Sequence, residues 1–166
     1  IIDGLLICKW EPEIFKSMHQ GGLSTANCTA AMPYANIQDS LKSIAQFHKW
    51  FVELKNIIHP VNSTDDIWDA YREKKVGIIL GWQNTSGFDD YLPYIRLFRK
   101  LGLGIVQLTY NTMNSLGSGC LEANDSGLSG FGYEFVEECN EAGMAIDLSH
   151  VGELTADDVI KHSSKP

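Results

Sequence analysis

The segment Gly143-Met144-Ala145-Ile146-Asp147-Leu148-Ser149-His150 closes an apolar run on a serine and a histidine, as a buried strand does when it delivers one side chain at its mouth. An imidazole so placed can ligate a metal ion or exchange a proton near neutral pH. The plainer reading is that His150 only hydrogen-bonds at a strand end. Two other polar runs follow apolar ones in the same way, Gln83-Asn84-Thr85-Ser86 and Tyr110-Asn111-Thr112-Met113-Asn114. Singly, such amides and hydroxyls cap the next helix or turn. Converging on one mouth, they make a small-molecule site. Trp10 and Asn27 read either as pocket walls or as packing. Asp147 reads as a partner near His150 or as a loop cap. His19, His48, His59 and His162 read as capping or partly exposed residues, and Glu137 and Glu138 as a solvated helix face.

The elements that must position these groups alternate. Ile1–Cys8 and Leu23–Thr29 read as strands with a short helix, about Glu11 to His19, between them. Asn36 can cap a long helix in which Ile37, Leu41, Ile44, His48, Phe51 and Val52 recur at spacings of three and four. Asn62-Ser63-Thr64-Asp65-Asp66 offers cap side chains and early acidic residues for a helix ending near Lys74. Strands follow over Val76–Gly81 and Gly104–Thr109, with a helix over Asp89–Leu101 between them. After the glycine-rich loop Asn111–Gly130 come a helix over Phe131–Glu141, the His150 strand, and a last helix capped by Thr155-Ala156-Asp157-Asp158. Such alternation calls for a parallel sheet with right-handed crossovers. An open doubly wound sheet would carry a phosphate-binding glycine turn after its first strand, whereas Cys8-Lys9-Trp10 stands there. The expected fold is α/β: a single domain over 1–166 holding the first five or six units of a (β/α)8 TIM barrel, in which chemistry sits at the strand C-termini.

Composition narrows the function. At 166 residues, 44% hydrophobic and 20% charged, the chain can bury one sizeable core. A net charge of −8 opposes phosphate backbones, so a nucleic-acid partner is set aside. No apolar run approaches the roughly 20 residues of a membrane helix. The four cysteines include no C-x-x-C pair, which suggests a reduced, cytoplasmic setting. The chain reads as an excerpt of a longer barrel, and an isolated open sheet of this kind would aggregate or pair with another copy, as in a homodimer.

Three blocks in order, Leu108-Thr109-Tyr110-Asn111, Asp125 to Gly132, and Glu138 to His150, resemble the membrane (renal) dipeptidase family, zinc metallopeptidases of the amidohydrolase superfamily (peptidase family M19). The resemblance spans about Ile1 to Pro166 and is more specific in its second half. It implies a (β/α)8 barrel with a two-metal centre that hydrolyses dipeptides or similar small amides, the metals activating a bridging hydroxide. Members of the family carry Asp-Gly-His-x-Asp in the first strand; here it reads Asp3-Gly4-Leu5-Leu6-Ile7, so hydrocarbon fills the ligand positions Leu5 and Ile7. The bridging glutamate of an Ile-Glu-Gly-Gly segment aligns with Leu80, unless a local gap brings Gln83 there. Tyr110 corresponds to a substrate-binding histidine. His150 alone keeps a ligand's identity, and further ligands would follow Pro166.

The resemblance therefore implies zinc as one ion or none, with His150 as metal ligand and Tyr110, Asn111, Gln83 and Trp10 as substrate-binding residues. Three expectations follow: a divergent hydrolase with an altered or mononuclear site, a metal-free enzyme, or a non-catalytic barrel serving as a small-molecule binding or assembly module. With aliphatic residues in place of charged ligands, the expected substrate is smaller or less charged than a zwitterionic dipeptide.

Overall fold

The computed structural model describes residues 1–166. Six strands, β1 (Ile2–Leu6), β2 (Thr25–Thr29), β3 (Ile58–Pro60), β4 (Val76–Gln83), β5 (Leu103–Gln107) and β6 (Ala145–Asp147), form one sheet. All its pairings are parallel, in the order β1-β2-β4-β5-β6. β4 is long enough to take two partners along one edge: β3 against Val76–Ile78, then β5 against Leu80–Gln83. Helices α1 (Pro12–Gln20), α2 (Ile37–Glu53), α3 (Thr64–Arg72), α4 (Pro93–Lys100), α5 (Gly130–Ala142) and α6 (Glu153–His162) alternate with the strands. The result is a half-barrel of the TIM type.

Local chemistry sets most helix ends. Asn36 caps α2 by accepting from the Asp39 N–H at 2.9 Å. Ser63 and Asp66 form a reciprocal capping box on α3. Ser129 accepts from the Gly132 N–H at 2.9 Å to open α5, and Gly143, at φ 71°, closes it. Three expectations need correction. α6 begins two residues before Thr155, which is buried and accepts instead from the Ser118 N–H at 3.1 Å. α4 starts only at Pro93, because a 3-10 turn over Ser86–Phe88 and left-handed Asp89 and Asp90 (φ 52° and 50°) precede it. Glu138 is no freely solvated carboxylate: Arg96 of α4 reaches across to Glu138, and to Glu141 at 2.7 Å, tying α4 to α5.

The two faces of the sheet differ in chemistry, and register decides which residue belongs to which. Strand neighbours in register share a face, and successive residues alternate. Ala26, Cys28, Ile78, Leu80, Trp82 and Val106 lie on the helix side, buried in one cluster with Phe15, Phe47, Phe88, Phe98 and Phe135. Trp82 packs at 5.1 Å from Phe88 and 5.0 Å from Phe98. The inner face carries Thr25, Asn27 and Thr29 of β2, Gly77, Gly81 and Gln83 of β4, and Gln107 of β5. α3 closes its lower end, where a Cβ on Gly77 would stand 2.8 Å from Thr25 Oγ1 and 3.4 Å from Ala70 Cβ. The polar residues therefore collect toward the strand C-termini.

The long segment between β5 and α5 is pinned by Asp125. Its carboxylate accepts from the N–H groups of Gly127 (3.0 Å) and Leu154 (2.6 Å) and from the Thr155 hydroxyl (3.4 Å). Burial pushes this carboxyl up, but those hydrogen bonds more than offset it and hold it below the usual aspartate range. A depressed folded-state value stabilises above the unfolded value and is lost as pH falls through the folded one. Thermal unfolding followed from pH 7 to about pH 3 should thus show Asp125→Asn converging on the parent in acid. Parallel curves would refute the assignment.

Candidate active site

Four strands, β2, β4, β5 and β6, bring a polar side chain to the same end of the sheet. Thr29 donates its hydroxyl to Gln83 Oε1 at 3.4 Å. Gln83 stands in register with Gln107, and Gln107 with Asp147, so a row of amides ends on a carboxylate. Gln107 is 1% exposed; its Nε2 donates to the Thr109 carbonyl at 2.6 Å, while Oε1 is buried with no protein partner. Asn27 donates from Nδ2 to the Gly4 carbonyl at 3.0 Å, and its buried Oδ1 likewise has no partner. Both oxygens belong to residues on the inner face, where an unpaired buried carbonyl oxygen is costly.

His150 occupies the other side of the mouth. It is half-buried, sits at φ 62°, and has Nδ1 2.7 Å from Asn111 Oδ1. The Tyr110 ring stacks on the imidazole, with centroids 4.7 Å apart and planes at 28°. Tyr34 meets Tyr110 edge-on at 6.0 Å and donates its hydroxyl to the Tyr110 carbonyl at 3.2 Å. The His150 carbonyl accepts from the Cys120 N–H at 3.0 Å and the Thr109 hydroxyl at 3.2 Å. Nδ1 is thus engaged, and Nε2 makes no hydrogen bond within the chain.

Other residues singled out in the sequence have these places. Asp147 does not reach His150; its carboxylate accepts from the Ser149 N–H at 2.8 Å and turns its own strand end, so the imidazole's partner is Asn111. Trp10 donates from Nε1 to the Thr29 carbonyl at 2.7 Å and stacks on Phe15 at 5.6 Å, joining the β1 and β2 ends. It also borders a cavity of about 440 Å³ with Ile7, Cys8 and Met32. Asn84 and Thr85 turn away from the mouth. Asn114 Nδ2 donates to Asn84 Oδ1 (3.0 Å), Thr85 Oγ1 (3.1 Å) and the Leu108 carbonyl (2.8 Å), welding the β4 and β5 loops. Neither Asn114's role nor Tyr34's was read from the sequence, because their partners lie far away along the chain.

Register separates the two residues considered at the β4 position. Leu80 is in register with Cys28, is 2% exposed, and points into the helix-side core, away from the mouth. The mouth-facing residue at the end of β4 is Gln83. On β1, Leu6 is in register with Cys28 and packs toward the helix side, so alternation sets Leu5 and Ile7 on the other face; Ile7 is 48% exposed.

The residues of this chain do not by themselves supply a two-metal shell. Leu5 and Ile7 have no donor atom, Gln83 is a neutral amide, and no group of three or more His, Cys, Asp or Glu side chains is placed to hold a metal ion. Cys28 and Cys139 lie in the core, where burial pushes both thiols up and away from the reactive thiolate form. The other imidazoles are occupied elsewhere: His19 on the Lys74 carbonyl (2.9 Å), His48 on the Leu101 carbonyl (2.8 Å), His59 beside Glu73 (3.5 Å) and His162 beside Glu137 (2.9 Å). No helix is long and apolar enough to cross a membrane.

A parallel half-barrel with helices outside and its polar side chains gathered at the strand C-termini is the architecture of a (β/α)8 enzyme barrel. More narrowly, the chain belongs to the membrane dipeptidase family (peptidase family M19), whose profile matches residues 13–166. It is 30% identical over 139 residues to an uncharacterized dipeptidase of Schizosaccharomyces pombe, covering 81% of this chain and 33% of that protein. An amidohydrolase from Pseudomonas aeruginosa superimposes with a TM-score of 0.95 at 45% identity, over 100% of this chain and 50% of that one. A metallopeptidase from Rhodobacter sphaeroides, solved with a phosphinate mimic of the dipeptide L-Ala-D-Ala, shares the fold at TM-score 0.71 and 18% identity, over 99% of this chain and 50% of that one. The chain thus spans about a third of that curated relative and half of the two solved structures.

Proposed function

We propose that the complete protein is a divergent amide hydrolase of the dipeptidase type, with a metal site reduced to one ion at most. Its substrate is a small peptide-like amide less charged than a zwitterionic dipeptide. The observation that carries this reading is the chemistry of the mouth: His150 is its one imidazole and Asp147 is held in its own strand-end turn, where a dinuclear site needs several anionic or imidazole donors together. Gln83 occupies the mouth-facing place at the end of β4, and a neutral amide is a poor bridge between two cations but a good partner for a carbonyl oxygen. Tyr110 and Asn111 frame His150, while Trp10 borders a separate cavity between the β1 end and α2.

In the reaction, the oxygen of water bonds to the amide carbon, the C–N bond breaks, and a proton passes to the leaving amine. This chain's contribution is to orient the carbonyl on Gln83 and to present His150 Nε2 to the reacting groups. The test is elemental analysis of the full-length protein purified without chelator, together with turnover of free and N-acylated dipeptides. One equivalent of metal or none, with the acylated series preferred, is expected; two equivalents, or preferred turnover of free dipeptides with added zinc, would overturn the reading. A second reading, a metal-free binding module, draws on the same lack of a donor cluster. It predicts no turnover of any amide but a raised Tm with substrate-like amides.

A further inference from the structure

We propose that Asn111 is a positioning residue that fixes His150 in the tautomer protonated at Nδ1, so that Nε2 presents its lone pair to the mouth. The proposal rests on His150 being the working imidazole, and adds what sets its state. An imidazole has two inequivalent nitrogens, and the hydrogen bond made by one decides which carries the proton. Nδ1 lies 2.7 Å from Asn111 Oδ1, an atom that only accepts. The Cys120 thiol lies 3.6 Å from the same oxygen and donates to it, and a carbonyl oxygen has two lone pairs to receive both.

The backbone shows that the pairing is built in. Asn111 and His150 are both left-handed, at φ 66° and 62°, a conformation costly for most residues and most tolerable for asparagine. The Asn111 carbonyl accepts from the Leu121 N–H at 2.8 Å, and the His150 carbonyl from the Cys120 N–H at 3.0 Å, so one short segment holds both residues. The Tyr110 ring, stacked at 4.7 Å, prevents the imidazole from tilting away from its partner. Asn111 engages His150 through this bond and acts through the imidazole.

The experiment is nitrogen-15 NMR of histidine-labelled full-length protein above the histidine titration range, with His150 assigned by its absence in His150→Asn. The parent should show His150 almost wholly protonated at Nδ1. Asn111→Gly removes the acceptor while keeping the left-handed backbone at ease, and should shift most of the population to Nε2–H. Asn111→Asp, whose carboxylate accepts the same bond, should restore the parent signature. Nε2–H in the parent, or Nδ1–H retained in a folded Asn111→Gly, would overturn the proposal. Should Asn111→Gly fail to fold, the parent and Asn111→Asp spectra still decide it. The readout needs neither metal nor turnover, so it can fail while the hydrolase reading stands, and the reverse.

Discussion

Replacing His150 by asparagine in the full-length protein is expected to lower kcat/KM for its amide substrate by about 10²–10⁴-fold, the range for losing a positioned acid–base group. Asparagine suits this test because it tolerates the left-handed backbone that His150 adopts at φ 62°. The bonds from Cys120 N–H and Thr109 Oγ1 end on the His150 carbonyl, so they survive the change, and the strand end keeps its shape. What disappears is the imidazole alone, stacked on Tyr110, with an Nε2 that makes no hydrogen bond within the chain. Thermal unfolding within about 1 °C of the parent, alongside the loss of activity, separates chemistry from stability. Activity within threefold of the parent would remove His150 from the mechanism.

A second large effect is expected at a position that has no side chain. A Cβ on Gly119 would overlap the carbonyl of Asn111 and lie 2.5 Å from the Thr112 nitrogen, all of it backbone that cannot rotate aside. Gly119 cannot retreat either, because it bridges to Val151 on its other side. Gly119→Ala should therefore cost about 3 kcal/mol, at the upper end for overpacking. That corresponds to a Tm lowered by about 6–12 °C for a domain of this size. Because the displaced residue is Asn111, the His150 imidazole loses its registration, and kcat/KM should fall by about 10–100-fold. Gly130→Ala is the control: a Cβ there meets nothing within 4 Å, and a change within about 0.5 kcal/mol is expected. Equal stability of the two variants would show that the Asn111 segment is not pinned as described.

The sequence by itself determined the alternation of strands and helices and the fold class, because hydrophobic period and caps such as Asn36 and the Ser63–Asp66 pair are local properties of a few adjacent residues. It also placed the three polar runs at strand ends and carried the family resemblance. β3 escaped because three residues ending in proline show no alternation; their pairing to β4 is what makes them a strand. Only the tertiary structure decided which face each residue takes. Leu80 and Gln83 are three apart on one strand, and nothing in their own chemistry says which meets the mouth. The register against Cys28 on one side and Gln107 on the other assigns Leu80 to the core and Gln83 to the site. Asn111 and His150 are 39 residues apart, and Asp147, closer in sequence, is consumed by its own turn. Local patterning is written in neighbouring residues, whereas strand register and long-range hydrogen bonds exist only once the chain has closed on itself.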